Sequence, residues 1–217
     1  MSQPKPHSPQ TPAKRPNQQI SLWWLLFPLF LLSAGLYANW SAPDSTGRQS
    51  PAVGKPAPQL DLVRLENTPK LNRLESAAAG KVSLVHFWGT WCGPCKMEYP
   101  HLTDMVQKYE SNPGFQFVPI SCEGTSTETF AGLLHKTDNY FESQGIRSVA
   151  FADPRGITRR SAAERLEQSS LYYPTTLVVS PDGMIAGVWE GYTPDAVDQI
   201  EHLITEILPP ENISGGH

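Results

Sequence analysis

Residues 82–100 read Val82-Ser83-Leu84-Val85-His86-Phe87-Trp88-Gly89-Thr90-Trp91-Cys92-Gly93-Pro94-Cys95-Lys96-Met97-Glu98-Tyr99-Pro100. The first seven, Ser83 apart, are β-branched, apolar or aromatic over a strand's length. From Glu98 to Tyr109 the apolar residues Leu102, Met105, Val106 and Tyr109 recur at helical spacing. A Cys-x-x-Cys pair therefore stands where a strand gives way to a helix. That placement puts Cys92 at the helix N-terminus, where unpaired N–H groups and the helix dipole favour a thiolate. The thiolate is the reactive form, so Cys92 is the candidate nucleophile. Cys95, one turn on, is placed to resolve a mixed disulfide by attacking Cys92. Pro94 suits a first turn, where its missing N–H costs nothing. The pair is expected to cycle between dithiol and disulfide.

Other uses of two cysteines fit less well. A structural zinc site takes four ligands. Cys122 is the one further cysteine, and His101 lies on the same expected helix as Cys95. Haem attachment requires His directly after the second cysteine, and Lys96 stands there. A permanent disulfide over so short a loop stabilises little. Three cysteines are also too few to staple a domain of this size. No metal and no cofactor beyond the Cys92–Cys95 disulfide is expected, and Cys122 reads mainly as a buried structural thiol.

Outward from this stretch, strand and helix signals alternate. Asn112-Pro113-Gly114 ends the helix, and Phe115–Ser121 resumes a strand, making a unit for which parallel pairing is expected. A helix is expected over about 127–144, a strand over 148–152 and a helical piece ending near Gln168. The strands 175–180 and 184–189 flank the turn Pro181-Asp182-Gly183. An amphipathic helix over 194–208 closes the domain, with Val197, Ile200, Leu203, Ile204 and Ile207 on one side. The arginines at 155, 159, 160 and 165, interleaved with Glu164 and Glu167, read as a solvated helix face.

Toward the N-terminus the composition changes. Five of the 21 prolines fall within the first sixteen residues, so residues 1–19 are expected to be disordered. Residues 20–40, ISLWWLLFPLFLLSAGLYANW, carry no charge, and 21 residues of helix at ~1.5 Å each span a hydrocarbon core of about 30 Å. Trp23, Trp24, Tyr37 and Trp40 lie toward the two ends, at interfacial depth. The length favours an uncleaved anchor over a cleaved signal peptide, and either one exports the remainder of the chain. Lys5, Lys14 and Arg15 are the charges before residue 41. The positive-inside rule then keeps residues 1–19 cytoplasmic and the rest outside, in a single-pass cytoplasmic-membrane topology. Residues 41–58 read as an extended spacer, with 41–54 the flexible linker, 55–210 the folded domain and 211–217 a disordered tail. After residue 40 the chain carries 14 Lys and Arg against 21 Asp and Glu, which excludes the basic face that nucleic-acid binding needs.

The motifs resemble the thioredoxin superfamily, and more closely its membrane-anchored TlpA/ResA-like thiol-disulfide oxidoreductases. The resemblance rests on Val53-Gly54-Lys55-Pro56-Ala57-Pro58, on Gly80-Lys81 leading into His86 to Pro100, and on Tyr173-Pro174-Thr175-Thr176 with Asp182-Gly183. It implies an α/β fold with a thioredoxin-like central mixed sheet flanked by helices. An N-terminal extension, a central insertion over about 122–170 and one preceding transmembrane helix complete the expected architecture. Pro174 matches the family's cis-proline, which lies against the active-site sulfurs, and Tyr173 precedes it. Trp91 matches the aromatic residue beside the nucleophile, and Glu98 a glutamate implicated in tuning thiol ionisation.

His86 departs from the family pattern, standing where thioredoxin has a buried aspartate and this subfamily often asparagine. Two roles are open for it: proton acceptor for Cys95, or hydrogen-bonded core histidine. The implied activity is disulfide exchange with exported protein clients, with electrons from a membrane or cytoplasmic-side donor. Gly93-Pro94 resembles thioredoxin itself, whose potential of roughly −270 mV leans the reading toward a reductase. Apocytochrome c maturation is the client pathway the resemblance suggests. A copper-handling module on the same fold and a thiol peroxidase are the alternatives; the first usually has wider cysteine spacing, and the second a Pro-x-x-x-Thr/Ser-x-x-Cys motif absent here.

Overall fold

The computed structural model describes residues 47–66, 73–74 and 80–209. The expected N-terminal segment, the anchor at 20–40 and the tail at 211–217 lie outside the described residues. Among the described residues no helix is long and apolar enough to cross a membrane.

Strand β3 (Val82–Trp88) is the axis of the fold, and all seven of its residues are buried. A strand covered on both faces needs no polar alternation, which is why its sequence runs nearly continuously apolar. It pairs in parallel with β4 (Phe115–Ser121), from Val82↔Phe115 to Trp88↔Ser121. On its other side it pairs antiparallel with β6 (Thr175–Val179), which continues into the hairpin partner β7 (Ile185–Glu190). The short strands β1 (Leu62–Arg64), β2 (Arg73–Leu74) and β5 (Phe151–Ala152) complete a mixed sheet of order β2-β1-β5-β4-β3-β6-β7. β1 and β2 were not legible in the sequence, because three and two residues show no periodicity.

Helices cover both faces. α1 (Gly93–Gln107) and α4 (Ala196–Ile207) bury Leu102, Met105, Ile200 and Ile204 against Val82, Leu84 and Val178. α3 (Ile157–Arg165) sets Ala162 and Ala163 against the opposite face, with Val85, Phe87, Ile120 and Leu177. α2 (Phe130–Gln144), from the central insertion, joins Leu133 and Phe141 to Trp88, Cys95 and Tyr99 in a third cluster at the redox end. Burying apolar area at roughly 25 cal/mol per Å² makes these layers the main stabilising contribution.

The spacer expected over 41–58 is docked from Gly47 onward. Val188 donates its N–H to the Gly47 carbonyl, Gly54 to that of Ile185, and Ile185 to that of Lys55, while Ala52 is fully buried. The Val53–Pro58 motif thus completes the edge of the β6–β7 hairpin rather than standing off from it.

Pro100 lies inside α1 and cannot donate to the carbonyl of Lys96, four residues back. The Tyr140 hydroxyl on α2 donates to that carbonyl at 3.1 Å. The insertion therefore satisfies a backbone group that the helix leaves open beside the cysteines. Tyr140→Phe is expected to lower stability by about 1 kcal/mol in urea denaturation; an unchanged midpoint would show that the carbonyl is satisfied without Tyr140.

Candidate active site

β3 ends at Trp88, and Gly89-Thr90-Trp91 turns the chain into α1. Cys92 is the N-cap of α1, in extended backbone, and its sulfur accepts the N–H of Cys95 at 3.2 Å. Gly93 and Pro94 form the first turn. Cys92 and Cys95 are joined as a disulfide with their Cα atoms 5.3 Å apart. Cys92 keeps 5% of its surface exposed and Cys95 none, so an incoming thiolate reaches Cys92. The peptide between Tyr173 and Pro174 is cis.

Trp91 sits in a fitted slot although half of it is exposed. Its indole N–H donates to the Cys122 carbonyl at 3.0 Å, and its ring meets that of Tyr173 edge-on, centroids 5.2 Å apart. A Cβ added at Gly89 would come within 2.5 Å of the indole nitrogen, and one at Gly124 within 2.7 Å of Cδ1. The ring lies where a larger residue at either position would stand.

The polar side chains around the cysteine motif are buried. His86 is fully buried between β6 and α1, with Nδ1 2.9 Å from the Thr176 hydroxyl and its ring 5.7 Å from that of Tyr99. Burial pulls its pKa down to about 3, so the imidazole is neutral at working pH and a poor proton acceptor. That favours the core-histidine role. Glu98 is buried on α1, three residues after Cys95 and on the same side of the helix. Burial pushes its pKa up to about 7, into the range where a carboxylate exchanges protons with a thiol. His86 Nε2, Trp88 Nε1 and Glu98 Oε2 have no hydrogen-bond partner among the described residues.

Cys122 is buried, and burial raises its thiol pKa to about 12, which makes it inert as a nucleophile. Arg159 corrects the expectation of a solvated face. Its side chain is only 26% exposed and pairs with Glu123 at 2.8 Å and Asp153 at 3.3 Å. Nothing in the sequence linked it to the site, because the connection is made through tertiary contacts. Among the described residues no group of three or more His, Cys, Asp or Glu side chains is placed to hold a metal ion.

A family model described as AhpC/TSA matches residues 53–188. The chain belongs to the AhpC/TSA family. It is 27% identical over 187 residues to the thiol-disulfide oxidoreductase ResA of Bacillus subtilis, covering 86% of this chain and 92% of the relative. Over 86 residues it is 36% identical to the thiol:disulfide interchange protein DsbE of Pseudomonas aeruginosa, covering 39% and 47%. A solved thiol:disulfide interchange protein from Chlorobium tepidum superposes with a TM-score of 0.55 at 25% identity, covering 71% of this chain and 96% of the other. Family, thioredoxin-like mixed sheet and paired cysteines agree on a thiol-disulfide oxidoreductase.

The two buried groups act oppositely on stability. Glu98, with its folded pKa raised, favours the folded state below its ordinary value of 4.5 and loses that contribution as pH rises to about 7. His86, with its folded pKa lowered, leaves stability intact above its ordinary 6.5 and reduces it as pH falls toward about 3. In the oxidised protein, Glu98→Gln is expected to gain stability relative to the parent between pH 4.5 and 7, and His86→Asn to gain it on acidification below 6.5. Urea midpoints across this range decide; a gain that grows in the same pH direction for both variants would contradict the assignment.

Proposed function

We propose that this thiol-disulfide oxidoreductase works as an exported, membrane-tethered reductase of protein disulfides. The observation that carries the reading is Cys92 as the N-cap of α1, with Cys95 buried one turn behind. In the reduced enzyme the Cys92 thiolate attacks one sulfur of a client disulfide, and the other client sulfur leaves and takes up a proton. Glu98 accepts the Cys95 proton, and the Cys95 thiolate then attacks Cys92 in the mixed disulfide. The second client sulfur leaves as a thiolate. The client gains two electrons and becomes a dithiol, while Cys92–Cys95 becomes the disulfide.

Export and tethering are supported by the uncharged run at 20–40 with Lys5, Lys14 and Arg15 before it. The recharging electrons then come from a membrane or cytoplasmic-side donor. An apocytochrome c carrying an oxidised Cys-x-x-Cys pair is the client class that the ResA/DsbE resemblance favours. Peroxidase chemistry is disfavoured because Gly89 stands three residues before Cys92, where the peroxidase motif has a hydroxyl side chain.

Cys95→Ala is expected to accumulate a mixed disulfide between Cys92 and an oxidised Cys-x-x-Cys peptide, readable by mass spectrometry, whereas Cys92→Ala should form none. The Cys92–Cys95 couple should be more reducing than about −200 mV. Trapping through Cys95 instead, or a potential in the oxidant range near −120 mV, would overturn the reductase reading.

A further inference from the structure

Trp91 and Tyr173 flank the nucleophile, and the two walls of the Trp91 slot come from different parts of the chain. One wall is the loop Cys122-Glu123-Gly124, whose Cys122 carbonyl takes the indole N–H and whose Gly124 lies against the ring. The other is the Tyr173 ring. Neither wall belongs to the cysteine motif, and the first is tied to one side chain of α3. The Arg159 Nη1 pairs with Glu123 Oε2 at 2.8 Å, fixing the middle of the first wall. The Tyr173 ring packs edge-on against the indole to form the second, with its hydroxyl end toward Arg159 and Cys122.

Arg159 is itself held in place. Its Nε faces Asp153 Oδ2 at 3.3 Å, Nη2 donates to the Asp153 carbonyl at 3.0 Å, and its backbone N–H donates to Asp153 Oδ2 at 2.8 Å. The planar fork of a guanidinium reaches several acceptors at once, which an ammonium cannot do.

We propose that Arg159 is a positioning residue for client engagement: by pairing with Glu123 it braces the Cys122–Gly124 loop that holds Trp91 as a fixed aromatic surface beside Cys92. The client half of this inference rests on the reductase reading above. Trp91, 50% exposed directly before Cys92, is the aromatic surface such a client meets as it brings its sulfur to Cys92. The central insertion thereby acts on the reaction without touching the sulfurs. An arginine that looked like one of four on a solvated face sets how well a polypeptide disulfide is held.

The test compares two substrates in the full chain: an oxidised Cys-x-x-Cys peptide, and hydroxyethyl disulfide, which carries no polypeptide to lie against Trp91. For Arg159→Gln, KM for the peptide should rise about tenfold, the effect expected from losing a charge-assisted hydrogen bond. kcat should change far less, and the rate with hydroxyethyl disulfide should fall by much less than the peptide kcat/KM. Arg159→Lys should restore part of the peptide KM. Equal losses with both substrates, or no loss with either, would overturn the proposal.

A second readout does not depend on turnover. The indole N–H of Trp91, observed by NMR in the oxidised protein, should exchange with solvent several-fold faster in Arg159→Gln than in the parent. Unchanged exchange would overturn the bracing even if the peptide KM had moved. If the parent enzyme reduces neither substrate, the reductase reading fails by itself, and the exchange rate still decides whether Arg159 braces Trp91.

Discussion

The site depends on a single short contact, the Cys95 N–H donated to the Cys92 sulfur at 3.2 Å. It makes the nucleophile the cap of its own helix, so the first-turn N–H groups and the helix dipole act on the atom that must become an anion. That geometry requires the helix to begin at Gly93 and nowhere else. The constraint comes from β3, whose seven buried residues are held in register by β4 on one side and β6 on the other. A slip of one residue would exchange the side chains between its two covered faces and carry the cysteines with it.

Burial then divides the work between groups that composition alone would rank differently. A histidine has the unperturbed pKa best matched to neutral proton transfer, yet full burial with a neutral Thr176 partner takes that capacity away from His86. The same desolvation moves Glu98 toward neutrality and gives it the capacity His86 loses. Burial therefore silences one proton-exchanging group and poises the other. Cys122, in the same way, is left inert by burial while Cys92, at the helix cap, stays within reach of a client.

What could be read from the sequence depends on physical scale. β3, the cysteine motif, the β6–β7 hairpin and α4 were legible because each carries its signal within a dozen residues. Pro174 and Trp91 were legible by resemblance. β1 and β2 are too short to show a period, and the docking of Gly47 to Gly54 is backbone pairing that side-chain identity does not encode. The slot that fixes Trp91 needs Gly89, Gly124 and Tyr173 from three separate segments, and the pairing that buries Arg159 draws on Glu123 and Asp153, 36 and six residues away in sequence. A local reading places such an arginine in solvent, and long-range ion pairing is what moved it inward.

The central claim is that helix capping activates Cys92 and leaves Cys95 held in reserve. The most direct measurement is the pH dependence of iodoacetamide alkylation of the reduced protein, with the modified cysteine identified by peptide mass spectrometry. Modification is predicted at Cys92 alone, with a thiol pKa well below the free-cysteine value of about 8.5. A Cys92 pKa at or above that value, or faster alkylation of Cys95, would contradict it.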